Sequence, residues 1–393
     1  MYPVVVYQLY INITMVAPLP LLASFALLAM NPSSTTPDSL TVGNANGASE
    51  RYASLIEWMR NSHPSSIINP SVSIKASPLG GYGAFVDEGE GLKEGDVIFS
   101  IPREACITPD IVLGDPQMGE ILKKVIEKAG SGAYSVAMAA YIARQRLLSQ
   151  VGKEEGGSDD SVEVDFGPYL DTLPWKRGDN GQDHVLFWRD DVVEDLMPGS
   201  LCYLETLGLR DEVKLARKMI NPLIGSDIYK ARGEWVDDKP IIPFLKWTTP
   251  PPPKITEPVP GLGRAVNAAF VNLLTRGFDA YPAGERGVND DFEFEDDAGG
   301  ERLIPVFDVL NHDNSPNVRH LTLPDGGPVL VTARWDIKGG EELLNQYRPE
   351  EEESMPYHRF FTRFGFVPGM MGEDTRAMLR DRSPVFFAQR REI

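Results

Sequence analysis

The sequence predicts a chain of mixed helix and strand sorted into blocks, β-rich, then helical, then β-rich. Three observations carry this. Residues 71–102 contain SVSIKAS, LGGYGAFVDEG and GDVIFSIP, short apolar runs punctuated by glycine. Residues 133–148 and 264–276 return apolar side chains at helical spacing. After Gly299 the chain reads RLIPVFDVL, PVLVTARW and EELLNQY, short strands again.

Composition narrows the function classes. With 393 residues, 42% hydrophobic and 24% charged, the chain is unlike a disordered, collagenous or multi-span membrane protein. Its net charge of −19 repels phosphate backbones, so no nucleic-acid partner is expected and a basic protein segment is. Cys106 and Cys202 cannot build a disulfide framework. With five unclustered histidines no metal site is expected either. Nothing indicates an oligomer.

The elements follow in order. Residues 1–30 are an apolar leader without charge, and Met15 to Met30 is too short and too proline-broken to span a bilayer as one helix. It reads as a plastid or secretory-route leader, as a single anchor that would bring a membrane into play, or as a mis-set start. Without a leader the compartment would be cytoplasmic. Residues 31–49 are rich in Ser, Thr, Asn and Gly and predict a flexible linker. Tyr52, Leu55, Ile56 and Met59 then mark a helix face. Within 133–148, Val136, Ala137, Ala140 and Ala143 form one stripe. Residues 201–219 are a further helix, and TTPPPPKITEPVPG at 248–261 is an extended linker because consecutive prolines lock the path. Val266, Ala269, Phe270, Leu273 and Leu274 align on the next helix. Acidic patches at 154–165, 290–297 and 350–353 read as solvated loops, or as a field that steers a basic substrate segment toward the site.

Each chemical motif is weak alone. Gly80-Gly81-Tyr82-Gly83 lacks the following helix of a dinucleotide fingerprint and reads as a tight turn, or as backbone lying close to a ligand. Asn311-His312 follows an apolar run and looks like turn chemistry. Tyr347 alone is a packing residue.

Together these motifs resemble the SET-domain methyltransferases. The set is the Gly-rich turn, Asn-His after a strand, GGEELLNQY ending at Tyr347 and the closing Phe-Gly-Phe-Val. DFGPYLDTLPW, HVLFWRDDVVEDL and FVNLLTRGF are similar to the inserted helical segment of the branch holding the Rubisco large-subunit and actin-histidine methyltransferases. The resemblance implies an α+β fold over residues 50–368, a SET domain of small curved sheets with pseudoknot-like threading, split by a helical insertion at about 114–265. Residues 369–393 would be a C-terminal tail, too short for the helical substrate-binding domain that relatives carry. It implies S-adenosylmethionine as cofactor and transfer of its methyl group to a lysine of a non-histone protein. Gly80, Gly81 and Tyr82 would approach the cofactor by backbone, and Arg276 would meet its carboxylate. Asp308, Asn311 and His312 would hold the amino group and adenine. Tyr347 would be the catalytic tyrosine, with Phe364 and Phe366 walling the substrate channel or the cofactor. Phe278, two residues after Arg276, is expected to line the same substrate channel.

That chemistry suits these residue types. Displacement at a sulfonium methyl needs alignment and dryness more than acid–base work. A lysine must first lose its proton, which costs about 5 kcal/mol at pH 7 and less in an apolar channel. Departures from the family pattern are Gly80 where relatives often carry Glu, Gln346 before the tyrosine, and Arg348 after it. Histidine methylation and an inactive SET scaffold are the alternatives.

Overall fold

Tyr52, Leu55 and Met59 recur at helical spacing, and they bury together on one face of the first helix, α1 (Ala45–Ser62), of the computed structural model. The structure describes residues 45–129, 133–154, 166–231, 259–279, 301–323, 327–347 and 357–368. The leader, the polyproline stretch before Val259, the acidic patches beyond Glu154, Arg348 and the tail lie outside them. The predicted linker is corrected at its end, because Ala45 to Ser49 already belong to α1. Small uncharged residues there continue the helix toward its N-terminus.

Strands β1 (Ile67–Ile68), β2 (Val72–Ala76), β3 (Tyr82–Val86), β4 (Gly91–Leu92) and β5 (Val97–Ile101) follow the predicted runs. Helices α2 (Pro109–Gly114) and α3 (Gly119–Ala129) were not read from the sequence. Their caps are local: Thr108 Oγ1 accepts the Ile111 N–H at 3.3 Å, and Asp115 Oδ1 accepts that of Met118 at 2.7 Å.

The helical block holds α4 (Ala133–Glu154), α5 (Gly167–Leu170), α6 (Asp190–Leu196), α7 (Leu201–Ala231) and α8 (Leu262–Arg276). The Val136, Ala137, Ala140 and Ala143 stripe is buried, and small side chains there let α4 lie closely along α8. Arg144 of α4 is tied to Asp227 of α7 at 3.0 Å. α7 runs twelve residues beyond its expected end at 219 and carries Pro222 inside.

The last block holds β6 (Gly277–Asp279), β7 (Glu301–Leu303), β8 (Asn311–His312), β9 (Val318–Thr322), β10 (Val329–Ala333), β11 (Ile337–Lys338), β12 (Glu342–Asn345) and α9 (Tyr357–Phe364). RLIPVFDVL is not one strand. Pro305 has no N–H to give a ladder, and Val306 takes φ 67°, ψ −42°. The Phe307 N–H reaches back to the Pro305 carbonyl at 2.7 Å, the three-residue turn that is rare and strained for a β-branched residue. A 3₁₀ turn, Phe307–Val309, follows.

The sheets are small. One runs β1-β5-β10-β9, another β2-β3-β12-β8, and β4 pairs β11 as β6 pairs β7. Pairings are antiparallel except β8 with β12, which is parallel. One continuous buried core joins Phe99 and Val331 of the first sheet to Tyr141 of α4, Tyr169 of α5 and Phe307. The helical block therefore shares its core with both β-rich blocks. Among the described residues no helix is long and apolar enough to cross a membrane.

Candidate active site

β12 organises the site. Its parallel pairing with β8 sets Leu344 beside Asn311 and Asn345 beside His312. Its antiparallel pairing with β3 sets Glu342 beside Phe85 and Leu343 beside Ala84. The Asn311 side-chain amide therefore reaches the Glu342 carboxylate at 2.7 Å and the Tyr82 carbonyl at 3.2 Å. Gly83 lies beneath, where a Cβ would stand 2.1 Å from Glu342 Oε1.

Tyr347 follows two residues after β12. Its N–H donates to His312 Nδ1 at 3.1 Å and its hydroxyl to the Leu310 carbonyl at 2.9 Å. Its ring lies 5.2 Å from those of His312 and Phe364 and 6.3 Å from Phe366. Burial pushes the phenol up to about 12, against the pull of Arg276. It is a neutral, oriented hydroxyl and no general base at neutral pH.

Arg276 ends α8. Its Nη1 donates to the Asp308 carbonyl at 2.8 Å and lies 3.4 Å from Asp308 Oδ2. The same Oδ2 accepts the Tyr169 hydroxyl at 2.8 Å. Burial pushes the Asp308 carboxyl above its ordinary range, opposed by Arg276 and Tyr169. Burial would lower the Arg276 pKa, but Asp308 and the surrounding tyrosines 52, 169 and 347 raise it further, so its charge is permanent. Nε of Arg276 is buried without a hydrogen-bond partner among the described residues.

These groups meet on one cleft of about 680 Å³. Gly80, Tyr82, Arg276, Asp308, Asn311, His312, Tyr347, Phe364 and Phe366 all line it. Two expected residues do not. Gly81 has φ +63°, and a Cβ there would stand 2.1 Å from the Asn180 carbonyl oxygen, so its bareness admits the helical insertion. Phe278 faces Phe307 and His320, with centroids 4.6 and 5.8 Å away. It sits on β6, two residues past Arg276, where the strand register with Arg302 turns it from the cleft.

Sequence reasoning missed part of the lining. Asn180, Gly181, Gln182 and Asp183 form one wall. Behind the lining, Tyr169 of PYLDTLP bonds Asp308 and Glu342 of GGEELLNQY bonds Asn311, and the sequence assigned a role to neither. Gly178-Asp179-Asn180-Gly181 carries turn chemistry, but nothing local tells that this turn lies against Gly81. Among the described residues no cluster of His, Cys, Asp and Glu could hold a metal ion.

No family model matches the chain. Among curated proteins, the β′ subunit of DNA-directed RNA polymerase from Desulfosudis oleivorans (strain DSM 6200 / JCM 39069 / Hxd3) is 26% identical over 160 residues, 40% of this chain and 10% of that subunit. Solved structures are similar over far more of the chain. Rubisco LSMT bound to AdoMet matches at a TM-score of 0.52, and the SET domain of LSMT bound to lysine and AdoHcy at 0.51. Each is 15% identical and covers 81% of this chain, while the chain spans 57% of theirs. The complex of Rubisco LSMT with sinefungin and monomethyllysine matches at 0.50. The fold is the α+β SET architecture.

Proposed function

We propose that this chain is an S-adenosylmethionine-dependent methyltransferase acting on a lysine of a non-histone protein. The observation that carries the reading is the convergence of Arg276, Asn311, His312 and Tyr347, from distant stretches, on one cleft of a SET fold. The lysine reading is supported by the similar structures, the LSMT SET domain bound to lysine or methyllysine together with AdoHcy.

The donor set fits the cofactor. Arg276 is a permanent cation on the cleft with donors beyond those spent on Asp308, which suits an amino-acid carboxylate. Gly80 lines the cleft with φ +108°, and a Cβ there would meet nothing within 4 Å. Asn311 and His312 offer main-chain groups at the strand end. When bound, S-adenosylmethionine supplies an electron-poor methyl on a sulfonium.

The chain's own residues align and exclude water. Tyr347 holds its oxygen on the Leu310 carbonyl, and both oxygens can position a methyl through weak C–H···O contacts. Phe364 and Phe366 pack against it and Phe360 packs against both of them, with Phe360 and Phe364 4.6 Å apart, and this cluster keeps that end dry. A dry aromatic wall disfavours an ammonium and so favours the neutral, nucleophilic amine. A basic substrate segment also suits the net charge of −19.

The test uses the full chain with methyl-labelled S-adenosylmethionine and a protein extract, followed by hydrolysis of labelled protein. Label on lysine that Tyr347→Phe and Asn311→Ala both reduce supports the reading. Label on histidine replaces the acceptor. No cofactor binding at all ends the enzyme reading.

A further inference from the structure

We propose that Tyr169, carried by the helical insertion, is a positioning residue that sets the guanidinium of Arg276 through the buried carboxylate of Asp308, and so controls how tightly the amino-acid arm of the cofactor is held. This rests on the cofactor reading above.

Tyr169 is fully buried, and the Asp308 side chain is 4% exposed. One carboxylate oxygen, Oδ2, stands between them and Arg276, at 2.8 Å from the tyrosine hydroxyl and 3.4 Å from Nη1. Arg276 is thus held by two acceptors of one residue, the Asp308 carbonyl and Oδ2. The longer contact cannot fix Oδ2 by itself. The tyrosine hydroxyl supplies the short bond that does. Asp308 is consequently engaged from both sides, and acts by orienting Arg276 more than by meeting a ligand.

The anchor beneath Tyr169 is rigid. Its carbonyl accepts the Thr172 N–H at 2.9 Å and the Thr172 hydroxyl at 2.7 Å. The Leu170 carbonyl accepts the Trp175 indole N–H at 2.7 Å. A ring alone would fill this core position. A hydroxyl placed in it is justified only by the partner it finds, since an unpaired one is costly. The insertion therefore reaches the site twice, by the wall at Asn180–Asp183 and by this hydroxyl behind Arg276.

The test compares two ligands that differ by the arm Arg276 would hold, S-adenosylhomocysteine and methylthioadenosine, titrated calorimetrically onto the full chain. In Tyr169→Phe the Kd for S-adenosylhomocysteine rises about tenfold, the worth of one charge-assisted hydrogen bond, while that for methylthioadenosine stays within about twofold. A merely structural role would weaken both equally, so an unchanged ratio overturns the proposal. If Tyr169→Phe does not fold, Tyr169→Met fills the same space without a donor and carries the same expectation. An unchanged ratio beside an Arg276→Gln variant that loses the preference overturns the Tyr169 role alone. A wild-type chain that binds neither ligand overturns this proposal and the cofactor reading together.

Discussion

Tyr347 and His312 are tied through the backbone: the Tyr347 N–H donates to Nδ1 of the imidazole at 3.1 Å, with the rings 5.2 Å apart. Nδ1 must be unprotonated to accept, so the neutral ring carries its hydrogen on Nε2. The bond sets where the chain turns after β12, and with it the tyrosine hydroxyl on the Leu310 carbonyl. Residues 35 positions apart in sequence thus share one geometry.

Tyr347→Phe removes only the hydroxyl, leaving the ring contacts and the backbone bond to His312. Turnover of the labelled methyl falls roughly 100-fold, the scale of losing alignment at the reacting centre. Affinity for S-adenosylhomocysteine stays within about threefold. Single-turnover transfer and calorimetric binding separate the two. A variant that transfers at the wild-type rate removes Tyr347 from the mechanism.

Gly81→Ala strikes twice. The position has φ +63°, and its new Cβ would meet the Asn180 carbonyl oxygen at 2.1 Å. Left-handed backbone costs about 1–2 kcal/mol for an alanine, and the clash adds to it. Gly80→Ala, at φ +108° with open space around it, carries strain without the clash. Urea denaturation should rank Gly81→Ala as the less stable by about 1 kcal/mol or more. Equal losses would mean that the insertion does not press on this turn.

The order of blocks was legible because it rests on periodicity. The α4 stripe is buried where the spacing put it, as are Val266, Ala269 and Leu273 of α8, while Phe270 and Leu274 are half-buried, and Arg276, Asn311, His312 and Tyr347 share one cleft. Other features depend on contacts between distant segments, which no local pattern encodes. Gly81 is bare for Asn180, and Tyr169 donates to Asp308 across 139 positions. Phe278 was placed by its nearness to Arg276 in sequence, but the change from helix to strand at Gly277 rotates it toward Phe307. RLIPVFDVL read as a strand by hydrophobicity, and one proline broke it.

Asn311→Asp converts a donor into a repulsive group. The Asn311 amide now donates to Glu342 Oε1 at 2.7 Å and to the Tyr82 carbonyl at 3.2 Å. An aspartate there faces two acceptors, so one carboxyl of the pair must stay protonated and its pKa rises. A raised folded-state pKa gives stability below the unfolded value that is lost as pH rises through the folded one. The variant therefore loses about 2 kcal/mol between pH 4 and 7 relative to Asn311→Ala, which has no such charge. Thermal melts across that range check it, and parallel curves would refute it.

His184 makes stability depend on acidity at the seam between the insertion and α9. It is fully buried, its Nδ1 accepts the Leu186 N–H at 3.2 Å, and Gly365 approaches so closely that a Cβ there would lie 3.0 Å from His184 Cα. Burial lowers its pKa from 6.5 to about 4, although the backbone at Thr362 and Arg363 pulls the other way. Between those values the unfolded chain binds a proton that the native state refuses, so stability rises with pH through this window and falls on acidification. The loss reaches about 3 kcal/mol by pH 4. Gln at 184 can accept from Leu186 and cannot titrate. In urea titrations from pH 7 to 4, wild type should lose that much more than His184→Gln, the gap opening near pH 6.5 and levelling off near pH 4. A constant gap between the two curves would mean that His184 is protonated in the native state, and that the seam tolerates its charge.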